Sequence, residues 1–262
     1  MPQNLASGIR TSYSKLSCWL NCPRKFKYRY RDESPEERTA VALLFGSAIH
    51  EAAEAFLKSL PCGNPISFDE VLGVFNRALS DTTKLAEEQG APVDWGETSL
   101  KQVSEKGEQM LAVFLDQVDR KIKVVATELT FEVELTPGQV VAGVIDVVLD
   151  EGNGRYRVVD LKTAAASYGP DRLEFDLQPT TYIAAAEKIF NAPGKIDFEY
   201  WLLTKTKTPA LKILPVVRNA RDHAELLETM DEVEEAVIRG VFPRQRGFMC
   251  FGCEYADRCA KA

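Results

Sequence analysis

Three residues near the middle of the chain set acids and a lysine inside apolar sequence: Asp146 in AGVIDVVLD, and Asp160 and Lys162 in VVDLKT. On a strand, Asp160 and Lys162 project from one face while Leu161 points into the core. A lone acid–lysine pair at this spacing is ordinarily a surface ion pair of little energetic consequence. Asp146 alters that balance, because an unpaired carboxylate in an apolar run is costly to bury and a metal ion removes the cost. If the EGNG turn pairs the two segments, both carboxylates converge on one divalent cation, and their hard oxygens suit Mg2+ or Mn2+. Lys162 then stands beside the ion, where it can orient a water or help deprotonate it.

A further candidate lies upstream, in FGSAIHEAAEAF, where Gly46 and His50 are one turn apart on one side of a helix. A histidine on a helix flank is more often structural or solvated than a ligand. Here the small Gly46 leaves room for a close neighbour, and an imidazole ligand would tilt preference towards Mn2+. Glu51 and Glu54 flank the histidine, Glu54 on its own side of the helix.

The elements that would position these groups are legible in outline. Residues 12–30 read as a helix starting at the capping-type Thr11 and Ser12 and interrupted at Pro23. A second helix spans residues 40–60, with Phe45, Ile49, Ala53 and Phe56 as its apolar stripe. Residues 62–120 are helical with a break at GAPVDWGE and carry no chemical motif, which marks them as an insertion or cap. VVATELTFEVEL, QVVAGVIDVVLD and RYRVVDLKT are β-branched segments separated by the turn signals TPG and EGNG, hence an antiparallel meander. A helix over residues 177–190, the strands IDFEYWLLT and ALKILPVV, and a helix over residues 221–239 complete the pattern. The expectation is an α/β (α+β) single domain over residues 1–262, a mixed sheet flanked by helices, with a cysteine-rich tail at residues 241–262.

Composition narrows the setting. The longest apolar run, residues 140–149, is broken by Gly143 and Asp146 and is too short to span a membrane. The first residues, MPQNLASGIRTSYSK, contain no apolar leader, so a cytoplasmic location is the default. A net charge of −7 does not suggest a nucleic-acid binder. Only one basic face is needed, however, and CPRKFKYRYR crowds Arg24, Lys25, Lys27, Arg29 and Arg31 around interleaved aromatics. The alternative for that segment is a solvated helix end. Six cysteines without an export signal point to metal or redox chemistry rather than disulfides. Cys250, Cys253 and Cys259 close the chain, Cys22 precedes Pro23 upstream as a candidate fourth ligand with Cys18 one turn away, and zinc fits such a spacing as well as an iron–sulfur cluster does.

In order along the chain stand GSAIH (residues 46–50), GVID (143–146), DLK (160–162) and QPTTY (178–182). This series resembles the PD-(D/E)XK nuclease superfamily in its RecB-like branch, over nearly the whole chain apart from residues 62–120. The resemblance implies a restriction-endonuclease-like fold and hydrolysis of phosphodiester bonds by metal-activated water. It implies His50, Asp146, Asp160 and the backbone carbonyl of Leu161 as ligands of Mg2+ or Mn2+. Lys162 would serve the water, and Gln178 and Tyr182 would support the lysine or the DNA. Pro179 directly after Gln178 is compatible with a first helical turn.

A subset of that branch, including AddB-type nuclease domains and CRISPR-associated cluster-bearing exonucleases, places one cysteine followed by proline before these motifs and three after them. Cys22, Cys250, Cys253 and Cys259 match that placement, which implies a [4Fe–4S] cluster of structural role. Cys18 and Cys62 read most simply as small buried or partly buried residues. The resulting expectation is a DNA exonuclease acting on single strands or ends in repair, recombination or CRISPR adaptation. Its partners would be a helicase or an integration complex, and Arg24, Lys25, Lys27, Tyr28 and Arg29 would hold the strand. The alternative is a non-catalytic DNA-binding scaffold that keeps the fold and the cysteine-bound metal.

Overall fold

In the computed structural model, which describes residues 9–261, the β-branched middle of the chain forms a mixed sheet enclosed by helices. The chain begins with β1 (Ile9–Thr11) and α1 (Tyr13–Asn21). It continues through α2 (Pro23–Phe26), which runs into a π-helical turn at Lys27–Arg31. After β2 (Thr39–Ala40) comes the long α3 (Val41–Ser59), then α4 (Phe68–Glu88), β3 (Val93–Asp94) and α5 (Leu100–Gln117). The meander follows as β4 (Val124–Thr136), β5 (Gln139–Gly152) and β6 (Arg155–Ala164). The remainder is α6 (Pro170–Phe175), α7 (Leu177–Ile189), β7 (Ile196–Thr204), β8 (Leu211–Val216), α8 (Ala220–Ile238) and α9 (Ala256–Lys261). The reading of the first residues as leaderless falls largely outside the described residues. No helix among those described is long and apolar enough to cross a membrane.

Periodicity explains where each face goes. Val147, Leu149, Val159, Leu161, Trp201 and Leu203 cover one side of the sheet and pack against α3, α4 and α5. The alternate residues Val148, Val158, Phe198 and Tyr200 cover the other side and pack on α7. The stripe Phe45, Ile49, Ala53 and Phe56 is fully buried. Residues 62–120, expected as an insertion, place Val71, Phe75, Met110, Leu111 and Phe114 in that same core, so their helices share it with the sheet. Capping boxes at Ser67 with Glu70 and at Ser99 with Gln102 start α4 and α5. Leu16 of α1 joins Leu226, Met230 and Val233 of α8 in a smaller cluster.

One irregularity decides the chemistry. Along one edge β5 pairs with β4 from Gln139 to Leu149, skipping Asp146 opposite Glu128. Its other edge carries β1 in parallel at residues 139–141, then β6 antiparallel from Val147 onward. Residues 142–146 have no strand on that edge. The sheet opens there, at the stretch that contains Gly143 and Asp146.

Candidate active site

Each expected motif reaches this opening from a different element. Asp146 stands at the last unpaired position of β5, and its Oδ2 accepts the Leu161 N–H at 2.8 Å, so a side chain takes the place of a missing ladder bond. Asp160 and Lys162 descend from β6. Asp160 is 1% exposed, accepts the Gln178 Nε2–H at 2.6 Å on Oδ1, and presents Oδ2 to the Lys162 ammonium. The Lys162 ammonium is the partner that offsets the burial of Oδ2. His50 enters from α3 on the opposite side of the sheet, with Nδ1 3.6 Å from Asp146 Oδ2 and the Leu161 carbonyl against its ring.

The electrostatics follow from burial. Desolvation raises the Asp160 carboxyl to about 6 even though Lys162 pulls it down, and it also raises Asp146. Burial alone would lower the Lys162 ammonium, but the carboxylates of Asp160 and Asp146 outweigh it and hold the group above the ordinary lysine value. His50 is lowered to about 4, by burial first and then by Lys162, so its ring is neutral at physiological pH and offers a lone pair. Two carboxylates, one ammonium and a neutral imidazole leave the site one negative charge in excess. A divalent cation would offset that charge. Among the described residues, no three His, Cys, Asp or Glu side chains are already gathered around a common metal position. The acids instead engage Lys162, Gln178 and the Leu161 amide.

Helix α7 fixes the remaining pair. Asp176 caps it by accepting the Gln178 N–H at 3.0 Å, and it also accepts the Tyr200 hydroxyl at 3.0 Å. Pro179 is accommodated within that first turn. Tyr182 is buried one turn on, its phenol raised to about 12 by burial and by the Asp160 carboxylate. Phe131 meets Tyr182 edge-on at 5.9 Å, and the ring of Phe131 lies over Gly143. A Cβ at Gly143 would fall 2.9 Å from that ring, which is the physical reason for a glycine three residues before Asp146. Gly46 is different. A Cβ there would meet only the Thr163 hydroxyl, at 3.6 Å, so no special room is required.

Sequence reasoning missed three supporting residues. Asp176 is signalled by an acid just before a helical run, and Tyr200 lies in register with Asp160 across β6 and β7. Glu128, at a left-handed φ of 47°, stands between the paired positions Thr127 and Leu129, close enough for Asp146 to help raise its carboxyl. Glu54, on the His50 side of α3, accepts the Thr127 hydroxyl at 3.1 Å and pairs with Lys58 at 2.5 Å, whereas Glu51 faces solvent.

The structure sets the basic segment beside the C-terminal tail. Lys25 pairs with Glu254 at 2.9 Å, Lys27 with Asp32 at 2.6 Å, and Arg29 with Glu36 and Glu254. Arg24 donates from Nε to the Phe242 carbonyl at 3.0 Å. Tyr28 is buried against Tyr255 at 5.6 Å and cannot stack a base from there. These side chains hold the C-terminal tail to the N-terminal helices. Further backbone bonds join Arg24 to Pro243 and Glu37 to Glu254, and the Glu37 carboxylate accepts the Asp257 and Arg258 amides. All six cysteines are free. Cys22, Cys250, Cys253 and Cys259 line one cavity of about 290 Å³ between the two segments. Cys18 is buried towards the adjoining groove, its thiol raised to about 11 by that burial.

No curated protein matches this chain. Among solved structures, one from Eubacterium rectale assigned as an exonuclease is 18% identical over 88% of this chain and 91% of its own, with a TM-score of 0.46. The structure of SSO0001 is 16% identical over 91% of this chain and 94% of its own, with a TM-score of 0.35. The family model of the PD-(D/E)XK nuclease superfamily matches residues 10–260, which takes in both acids, the lysine and every element around them. By the extent of that match, the chain belongs to the PD-(D/E)XK nuclease superfamily.

Proposed function

We propose that this chain is a metal-dependent DNA exonuclease of the RecB-like branch that hydrolyses phosphodiester bonds in single strands or at ends. The observation that carries the reading is the unbalanced negative charge of a buried site that brings Asp146 and Asp160 together with a neutral His50. Those donors suit Mg2+ or Mn2+, with His50, Asp146, Asp160 and the Leu161 carbonyl as ligands. When bound, the ion activates a water and polarises the scissile phosphoryl oxygen.

The chain's own residues do the positioning. Beside the ion, Lys162 is placed to orient the attacking water or help deprotonate it, and to steady the charge growing on the phosphate. Gln178 fixes Asp160 through its amide, and Asp176 fixes Gln178. Preference for single strands and ends rests on the resemblance of the four motifs to that branch. So does a place in DNA repair or CRISPR adaptation, in the cytoplasm, beside a helicase or an integration complex.

The four cysteines that share a cavity are read as ligands of a structural [4Fe–4S] cluster within a single domain that carries the helical residues 62–120. The cluster is preferred over zinc on the resemblance of Cys22-Pro23 and the three downstream cysteines to the cluster-bearing members of that branch.

Anaerobically purified protein, assayed on end-labelled single-stranded DNA with Mn2+, tests both parts. Asp160→Asn should lose cleavage and keep DNA binding, and the visible spectrum should be brown. Wild-type rates in the variant would overturn the site, and a colourless, zinc-containing protein would overturn the cluster.

A further inference from the structure

The cations first expected to meet nucleic acid are paired internally, yet a second basic–aromatic run exists in the tail. Residues 244–251, RQRGFMCF, carry Arg244 and Arg246, neither of which forms an ion pair with any described residue. Phe248 is 85% and Phe251 86% exposed, with centroids 6.0 Å apart, and Met249 beside them is exposed too. Such rings cost free energy in water and contribute nothing to the core. The loop is not loose at its base. Phe242 stacks on Phe26 and Pro243 is bonded to Arg24 on one side, and Glu254 and Tyr255 are tied to the N-terminal segment on the other. A firmly anchored loop thus presents two aromatic faces flanked by two uncompensated guanidinium groups, on a protein whose net charge is −7.

Beside this tip runs a groove of about 310 Å³, lined by Gln245 and Met249 of the tail, by Tyr13, Ser17 and Asn21 of α1, and by Cys22, Cys250 and Cys253.

We propose that residues 244–251 form a stacking platform for a single-stranded polynucleotide whose scissile end occupies the Asp146–Asp160 site. The proposal rests on the nuclease reading and adds to it the residues that hold the strand. Phe248 and Phe251 stack successive bases, and Arg244 and Arg246 meet the phosphates. Single strands are the fitting ligand because every base offers a π-face to an exposed ring, whereas duplex DNA keeps its faces stacked on one another.

The test measures binding without cleavage. Anisotropy of labelled dT20 and rU20 is recorded with the full-length protein in EDTA, for wild type, Phe248→Ala/Phe251→Ala, Phe248→Tyr/Phe251→Tyr and Arg244→Gln/Arg246→Gln. The alanine pair should weaken dT20 binding on the order of 30-fold, and the tyrosine pair should restore it. The glutamine pair should lower the slope of log affinity against log salt by about 1.4. Equal ring dependence for rU20 assigns the platform to both nucleic acids, and dependence for dT20 alone assigns it to DNA. A wild-type protein that does not bind dT20, or an alanine pair that binds it as tightly as wild type with an unchanged melting temperature, overturns the proposal. In the second case the rings are a seat for a protein. Because no cleavage is read, these outcomes are separate from loss of activity in Asp160→Asn, which tests the nuclease reading itself.

Discussion

Two glycines belong to the motifs of this site, and replacing each by alanine should move stability in opposite directions. Gly143 lies under Phe131, and an added Cβ would come to 2.9 and 3.0 Å from the ring carbons Cζ and Cε1, inside any relaxed contact. The ring is buried and meets Tyr182 edge-on, so it cannot swing into solvent. Forcing a methyl group into such packing costs ~1–3 kcal/mol. For a protein of this size that amounts to a melting temperature lower by roughly 2–12 °C. Gly46 has an open approach to Thr163 at 3.6 Å and lies within a 19-residue helix. Alanine there avoids the glycine entropy cost, about 1 kcal/mol, and should raise the melting temperature by about 2–4 °C. Thermal unfolding by circular dichroism in the same buffer compares the two. Phe131→Leu in the Gly143→Ala background should recover part of the loss by vacating the ring's position. A Gly143→Ala protein that melts at or above the wild type would refute the packing argument, as would failure of Phe131→Leu to restore anything.

Proton linkage gives a second expectation. Burial raises Asp160 to about 6 from an ordinary 3.8, so in the metal-free protein the unfolded chain ionises first and stability falls as pH rises from about 4 to 6. Ligation needs the ionised carboxyl, so affinity for Mn2+ should rise about tenfold per pH unit up to pH 6 and level off above 7. His50, lowered to about 4, should add no further proton over that range, and a titration series from pH 5 to 8 with a flat profile would contradict the assignment. Asp176→Ala removes the α7 cap and the acceptor for Tyr200. It should cost about 1–2 kcal/mol and lower kcat through a misplaced Gln178, measurable by denaturant unfolding and by cleavage kinetics. Glu254→Ala frees Lys25 and Arg29 from the tail. Limited proteolysis should then cut residues 240–261 several-fold faster, with little change in global unfolding.

Local signals made much of this fold readable. The meander β4–β6 announces itself by β-branched segments around TPG and EGNG, whose turn glycines 138 and 154 adopt positive φ. The stripe on α3 and the i,i+4 pair Gln178 and Tyr182 are properties of single helices. The opening in the β5 edge was not legible, because it depends on where the three-residue β1 stops and β6 starts, and a parallel pairing across about 130 residues leaves no local mark. The basic segment misled for the same reason. Its composition is that of a phosphate-binding surface, but the carboxylate of Glu254, more than 220 residues away, answers two of its cations. Tyr28 points inward because of the path taken by the π-helical turn.

The lacing of the first helices to the tail has a consequence for biosynthesis. Hydrogen bonds join residues 218 to 221 positions apart, so the clamp cannot close until residues 242–258 have been made. At about 5–20 residues per second, the early segment waits roughly 10–45 s for its partner. Through that interval Lys25 and Tyr28 lack Glu254 and Tyr255, which cover them in the folded protein. A nascent chain that has reached β7 already carries Asp146, Asp160 and Lys162 and the strand that pairs with β6, while the seat of its first helices is still to come. The order of synthesis thus delivers the acids of the sheet before the contacts that fix the first helices.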